Sequence, residues 1–194
     1  FKAGNVVSEV GKSRTFSSDT QSLKIGVFSC SNYPAGYFNV YEAAAKDNLD
    51  LWLHLGDYLY EYPMGGYATN IAEKLGRTPV PPHEMISLSD YRQRHAQYKT
   101  DHDSKELHKN APLVAVWDDH EFTNDSWKYG AENHQTEEGF FLSRKANAIK
   151  AYLEWMPMRE NKSKLKIWRK FEVGSLFQLL MIDTRSIYRD RQLN

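Results

Sequence analysis

Disulfides and long apolar runs are missing from this sequence. Its 194 residues include one cysteine, Cys30, so no disulfide can form within the chain and the fold does not depend on one. The longest apolar runs, such as Leu176 to Ile182, fall far short of the roughly 20 residues that span a bilayer. The first residues also lack the charged-then-apolar pattern of a secretory signal. These absences exclude a disulfide scaffold and a bundle of membrane-spanning helices.

The sequence also has no excess of positive or negative charge. The sequence has 25 Lys and Arg against 25 Asp and Glu, so its formal net charge is zero. Proteins that capture nucleic acid through its phosphates need a basic face, and we therefore expect no specific nucleic-acid partner. Hydrophobic residues make up 41% of the chain and aromatic residues 13%, which is enough for one sizeable core. The 12 tyrosines also supply phenol groups that can act as ligands.

The first half of the sequence predicts an α/β fold. Leu23–Phe28 reads as a buried strand, residues 37–48 have apolar positions at helical spacing, and residues 49–57 read as a second strand. A strand-helix-strand unit usually forms a parallel pair through a right-handed crossover. Residues 111–117 predict a third strand. Ligands gather at the carboxyl ends of such strands, so we expect the chemistry there.

Four further segments complete the prediction. The proline-rich stretch 58–86 is predicted to be a long loop or lid. Residues 90–99 are predicted to form a helix with Ser89 as its N-cap. Residues 137–155 predict a second helix, which Pro157 ends. Residues 166–173 and 176–182 predict a β-hairpin joined through Gly174 and Ser175.

Residues of metal-ligand type follow three predicted strands. Cys30 follows the first strand, Asp57 and Tyr60 follow the second, and Asp119 and His120 follow the third. A carboxylate can bridge two cations, a phenolate suits a trivalent ion, and a thiolate can add a further ligand. Taken singly, Asp57 is more often part of a strand-ending turn and Cys30 a small buried apolar residue. Their occurrence together favours a metal site.

Several short motifs resemble the PhoD-type alkaline phosphatases of the calcineurin-like metallophosphoesterase superfamily, in the same order and with similar spacing. The resemblance extends from about Leu23 to Asn194. It is carried by Ser29-Cys30 through Gly36-Tyr37-Phe38, Gly56-Asp57-Tyr58-Leu59-Tyr60-Glu61, Tyr91-Arg92-Gln93-Arg94, Ala96-Gln97-Tyr98-Lys99-Thr100, Trp117-Asp118-Asp119-His120-Glu121 and Ile182-Asp183-Thr184-Arg185-Ser186.

The resemblance implies a sheet sandwich flanked by helices and a centre containing Fe3+ and Ca2+. In that family Asp57 would bridge the metals, Cys30 and Tyr60 would bind iron, and Asp119 would be a further ligand. His120 would contact the phosphoryl group or the leaving oxygen. The implied reaction is hydrolysis of phosphate mono- and diesters by a metal-activated water. The same resemblance implies Asn124 as a metal ligand and Tyr33 and Arg185 as phosphate ligands.

The resemblance also predicts that the chain is part of a larger enzyme. Residues 1–20 would be the remnant of a preceding immunoglobulin-like domain and linker, and residues 21–194 the N-terminal part of the phosphatase domain. The family carries further Asp and His ligands in a C-terminal segment that this sequence does not contain. The fold would therefore be incomplete at the C-terminus, and we expect the isolated 194 residues to have little activity. The family implies an extracytoplasmic location.

Two alternatives remain open at this stage. The first is a non-catalytic module that keeps the fold and binds a ligand through its Tyr- and Trp-rich loops. Buried carboxylates without a cation are costly, which disfavours it. The second is a phospholipase D-type diesterase. A serine hydrolase or a nucleoside-triphosphate enzyme is disfavoured because the sequence has neither a GxSxG motif nor a GxxxxGK[ST] loop.

Overall fold

The computed structural model describes residues 2–159 and 166–192. Its strands and helices alternate through most of the chain, as expected of an α/β protein. In chain order they are β1 (Lys2–Ala3), β2 (Val6–Val7), β3 (Ile25–Phe28), α1 (Asn39–Ala45), β4 (Leu51–His54), α2 (Ala72–Leu75), α3 (Leu88–Tyr98), α4 (His102–Asn110), β5 (Leu113–Ala115), α5 (Phe141–Trp155), β6 (Arg169–Val173) and β7 (Phe177–Met181).

A parallel sheet with the order β3-β4-β5 lies at the centre. Phe28 is in register with His54, and His54 with Ala115, so the three carboxyl ends lie side by side. This confirms the predicted parallel arrangement. Every residue of the central strand β4 is buried. The prediction of a buried β3 was too strong, because Val27 on this edge strand is 57% exposed and no element of residues 2–159 or 166–192 covers it.

Aromatic side chains fill the core between the sheet and the helices. Trp52 on β4 and Trp117 just after β5 are almost completely buried. The Trp117 ring packs edge-on against Tyr152 of α5, with 5.3 Å between ring centroids. Burying a large aromatic side chain contributes about 1.5–3 kcal/mol, so this layer fixes the strand ends that carry the polar residues.

Two predicted helix starts were wrong. Helix α3 begins two residues earlier than expected, because Ser87 rather than Ser89 is its N-cap: Asp90 N donates to the Ser87 hydroxyl and Ser87 N to the Asp90 carboxylate. The predicted helix 137–155 is divided. Thr136–Glu138 forms a separate 3-10 turn, Gly139 follows at φ +90°, and α5 begins at Phe141.

The predicted hairpin and the predicted long loop are both present in the structure. The hairpin is present as β6 and β7, with shorter strands than expected and Gly174 at a positive φ in the turn. The stretch 58–86 is irregular apart from the short helix α2. Residues 160–165, part of the segment before β6, lie outside the described residues. Within the described ranges, no helix is both long enough and apolar enough to cross a membrane.

Candidate metal centre

Backbone hydrogen bonds tie the ends of β3 and β4 together. Cys30 N donates to Gly56 O at 3.2 Å and Ser31 N to Asp57 O at 2.8 Å. Cys30 and Asp57 both adopt left-handed backbone conformations, with φ of 61° and 56°. Residues other than glycine rarely take this conformation. At both residues it turns the side chain away from the direction of the strand, at the edge of the sheet where β3 and β4 end.

The carboxylate of Glu121 links the ends of β4 and β5. Its Oε1 accepts from Tyr58 N at 2.6 Å, and its Oε2 accepts from Asp57 N at 3.1 Å and Asp118 N at 2.7 Å. Burial, and then the nearby Asp57 carboxylate, raise the pKa of Glu121 to about 8, although the backbone donors oppose this rise. Glu121 therefore holds both candidate ligand loops in place.

Three side chains converge on one point beside this link. Asp57, Asp119 and His120 are buried, and each offers a ligand atom within 4.8 Å of the others. Asp57 Oδ2 accepts from Cys30 Sγ at 3.4 Å and from the Tyr60 hydroxyl at 3.5 Å. Asp57 Oδ1 is buried and has no hydrogen-bond partner in the described part of the chain. A buried, unsatisfied carboxylate oxygen is costly, and a cation would satisfy it.

The pKa shifts of the acidic groups in the cluster also favour a bound cation. Burial raises the pKa of Asp57 despite the nearby His120, and the carboxylates of Asp119 and Asp118 raise it further. Burial also raises the pKa of the Cys30 thiol and of the Tyr60 phenol, and Asp57 adds to both shifts. Without a cation these acidic groups are therefore held toward their neutral forms. A bound cation reverses that preference, because it favours the anionic form of each ligand.

His120 is held by a carboxylate that comes from the other loop. Its Nδ1 lies 2.8 Å from Glu61 Oε2. Glu61 is completely buried and also accepts from Thr123 Oγ1, Asn124 N and Asn133 Nδ2. Burial alone would lower the pKa of His120, but Glu61, then Asp57 and Asp119, raise it to about 9. This arrangement fixes the ring orientation and favours a protonated imidazole.

Arg185 supplies positive charge at the rim of the cluster. Its Nε lies 2.5 Å from Asp118 Oδ1, and its Nη2 lies 3.4 Å from Asp119 Oδ1. Its Nη1 lies 3.7 Å from Asp125 Oδ1, too far for a hydrogen bond, and this nitrogen has no hydrogen-bond partner within residues 2–159 and 166–192. The guanidinium therefore has a free donor next to the candidate metal ligands.

Known proteins resemble this chain along most of its length. The family model for the PhoD-like phosphatases matches residues 25–194. The chain belongs to the PhoD-like phosphatase family. It is 38% identical to alkaline phosphatase D of Bacillus subtilis (strain 168) over 201 aligned residues, which cover all of this chain and 34% of that protein. A solved structure of PhoD matches 96% of this chain and 34% of its own length, with a TM-score of 0.77 and 35% identity.

This PhoD-like chain thus spans about a third of the length of these two relatives. The expected α/β fold is confirmed by the structural match. The division into a remnant at 1–20 and a phosphatase part from residue 21 stays a prediction. In the structure β1 pairs with β2, and Lys12 N donates to Lys109 O, so the first segment contacts α4.

Two expected site residues have other partners in this PhoD-like structure. The side-chain nitrogen of Asn124 donates to Glu132 Oε2 at 2.9 Å, which leaves Oδ1 as the atom that could bind a metal. The Tyr33 ring stacks on the Arg77 guanidinium at 3.5 Å from the ring centroid, and Tyr33 O accepts from Arg77 Nε. The roles of Asn124 as a metal ligand and Tyr33 as a phosphate ligand stay predictions.

The structure adds two residues whose roles were not predicted from the sequence. Glu61 and Glu121 each end a motif that carries the family resemblance, but their partners are distant in sequence. Glu61 holds a histidine 59 positions away, and Glu121 holds an amide 64 positions away. The sequence does show that an acidic residue ends both motifs, one after β4 and one after β5. That pattern does not indicate what either carboxylate contacts.

Proposed function

We propose that this chain contributes the metal-binding and phosphoryl-binding residues of a metal-dependent phosphate ester hydrolase. The observation that carries the proposal is the buried cluster of Asp57, Asp119 and His120, in which Asp57 Oδ1 has no hydrogen-bond partner among the described residues. Family membership supports phosphate ester hydrolysis as the reaction. The substrate would be a small-molecule mono- or diester, and the location extracytoplasmic.

The donor set fits a pair of cations. Cys30, Asp57, Tyr60 and Asp119 would hold them, with Asn124 Oδ1 as a further ligand. A phenolate and a thiolate suit Fe3+, and carboxylate and amide oxygens suit Ca2+. When bound, such ions activate water and neutralise charge on the phosphoryl oxygens. Asp57 Oδ2 lies within hydrogen-bond distance of both Cys30 Sγ and Tyr60 Oη, which supports placing these three residues around one ion.

The remaining residues would bind and position the ester. His120, protonated and held by Glu61, would donate a hydrogen bond to a phosphoryl oxygen or a proton to the leaving oxygen. Arg185 would turn its free Nη1 toward the phosphoryl group, because bidentate guanidinium contacts suit phosphate oxygens. Tyr33 would lie at the edge of the same site. Glu61 and Glu121 would not contact the ester but would fix the groups that do.

Metal content and colour test the proposal. The protein should be produced at its natural length, without chelators, and its metals measured by elemental mass spectrometry. We expect stoichiometric iron with calcium and a visible tyrosinate-to-iron absorption band. Tyr60→Phe should remove the band and lower the iron content. The control Tyr129→Phe changes an exposed tyrosine whose ring contacts Lys128, and it should leave both unchanged.

Absence of stoichiometric metal after loading with iron and calcium would contradict the proposal and favour a non-catalytic binding module on the same fold. A band that survives in Tyr60→Phe would remove Tyr60 from the ligand set.

The same preparation decides between mono- and diester substrates when its kcat/KM is measured on both classes. Activity of the isolated 194 residues after metal addition alone would contradict our expectation that their site is incomplete.

Substitution of Glu61 tests the orientation of His120. Glu61→Gln keeps the size of the side chain but removes the charge that pairs with the imidazole. We expect kcat to fall about 10–100-fold, the range found when a hydrogen-bond partner of a metal-site histidine is replaced. KM should change little, because Glu61 would not contact substrate. The control is Glu42→Gln, which removes an exposed acid of α1 that pairs with Lys46. A similar loss in that variant would refute the specific role of Glu61.

A further inference from the structure

A row of aromatic rings extends outward from the candidate metal cluster. The Tyr60 ring lies against His120, with 4.2 Å between centroids, and Tyr62 lies 5.5 Å from the same imidazole. Tyr67 continues the row, nearly parallel to Tyr60 at 6.3 Å and 5.6 Å from Tyr62. We call Tyr60, Tyr62 and Tyr67 the aromatic wall. Its inner end is a residue of the cluster.

Exposure increases along the aromatic wall. Tyr60 is buried, Tyr62 is half-buried, and Tyr67 is 63% exposed. Packing of the core accounts for the inner ring, since Tyr60 contacts Asp57 and His120. It does not account for Tyr67, which is mostly exposed. Exposed aromatic rings next to a polar cluster are typical of sites that bind planar organic groups.

Hydrogen bonds from Arg94 anchor the backbone of two members of the aromatic wall, Tyr60 and Tyr62, within an irregular segment. The buried guanidinium of Arg94 donates to the carbonyl oxygens of Tyr60 and Tyr62. It also donates to Val80 O at 3.0 Å and to Pro81 O at 2.9 Å, so one side chain joins the two sides of the loop. Ordered rings lose little conformational freedom when a ligand stacks on them, which favours binding.

We propose that Tyr62 and Tyr67 bind the organic part of the phosphate ester, and that they favour esters with a planar aromatic group. The inference rests on the proposed function. An ester joins its organic group to phosphorus through one oxygen, so a phosphoryl group at His120 places that group near the neighbouring rings. The formal net charge of zero does not favour a long nucleic acid as the occupant.

Binding of two phosphonates tests this inference without requiring turnover. The probes are phenylphosphonate and methylphosphonate, which share the phosphoryl end and differ in the organic group. Their Kd values should be measured by titration calorimetry on the metal-loaded protein at its natural length. We expect phenylphosphonate to bind roughly threefold to tenfold more tightly, the range that one aromatic pair contributes. In the double variant Tyr62→Leu with Tyr67→Leu, this preference should disappear while the Kd of methylphosphonate stays the same.

Tyr129→Leu is the matched control, since it removes an exposed tyrosine outside the aromatic wall and should keep the preference. Circular dichroism and the thermal midpoint would show that the double variant is folded. An unchanged preference in a folded double variant would overturn the inference and leave the proposed function intact. Equal binding of the two probes to the unsubstituted protein would do the same. If neither phosphonate binds, the proposed function fails, and this inference fails with it.

Discussion

Asp57→Asn should remove bound metal and lower kcat/KM by more than about 100-fold. Replacing a mere hydrogen-bond partner of a metal ligand costs about 10–100-fold in metal affinity or activity, and loss of a bridging ligand should exceed that. The metal-free variant should nevertheless have a higher Tm than the metal-free natural protein, because one of two close, buried carboxylates is neutralised. Elemental analysis, kinetics and thermal unfolding with and without chelator check these opposite effects.

The control for this experiment is Asp47→Asn. The Asp47 side chain is mostly exposed and pairs only loosely with Lys24, so the substitution should change neither metal content nor Tm by a measurable amount. A non-catalytic binding module would tolerate Asp57→Asn, with no loss of metal because none is held. Retention of stoichiometric metal and activity in Asp57→Asn would therefore remove Asp57 from the site.

Gly56→Ala should be strongly destabilising, by about 3–5 kcal/mol in the free energy of unfolding. Gly56 has φ +114°, and a Cβ added there would lie 2.4 Å from Asp118 N and 2.5 Å from Asp118 Cβ. The backbone strain and the overpacking each cost about 1–3 kcal/mol. Because the ends of β4 and β5 must separate to relieve the contact, bound metal should be lost as well. Denaturant unfolding and elemental analysis check both effects.

Gly65→Ala separates the two causes. Gly65 also has a positive φ, +86°, but a Cβ there would have nothing within 4 Å. This variant should lose only about 1–2 kcal/mol from backbone strain and should keep its metal. Equal losses of stability in the two variants would show that the contact with Asp118 contributes nothing. A stable, metal-loaded Gly56→Ala protein would mean that the two loops can move apart without damage to the site.

The sequence predicted best those features that depend on local pattern. The strands before Cys30, Asp57 and Asp118 were found because short apolar runs end abruptly in polar residues. The parallel sheet followed from the helix between the first two strands. Helix α4 was missed because its residues are mostly polar, and of them only Ser104 and Leu107 are buried. Asp101 caps it locally, and packing against α1 stabilises the helix.

The structure brings together Asp57, Asp119 and His120, which the sequence indicated, although their roles stay predictions. Residue types and family motifs indicated Cys30, Asp57, Asp119 and His120. No pattern in the sequence indicated that Glu61 would hold His120, because that hydrogen bond joins segments 59 positions apart. The aromatic wall was equally hidden, since Tyr60, Tyr62 and Tyr67 share no periodic spacing. The hydrogen bonds from Arg94 to the carbonyl oxygens of Tyr60 and Tyr62 were not indicated by any sequence pattern either.

Cys30, Asp57 and Asp125 adopt left-handed conformations. Their side chains serve the candidate site, but their backbone strain lowers the stability of the protein. Each such residue carries strain that glycine would relieve, at a cost of the order of 1 kcal/mol for an L residue. A laboratory selection for heat resistance alone would therefore favour replacing these residues, Cys30 above all. Thermostable variants of this protein should accordingly be tested for metal binding before they are ranked, because improved folding and loss of the candidate metal centre can result from the same substitution.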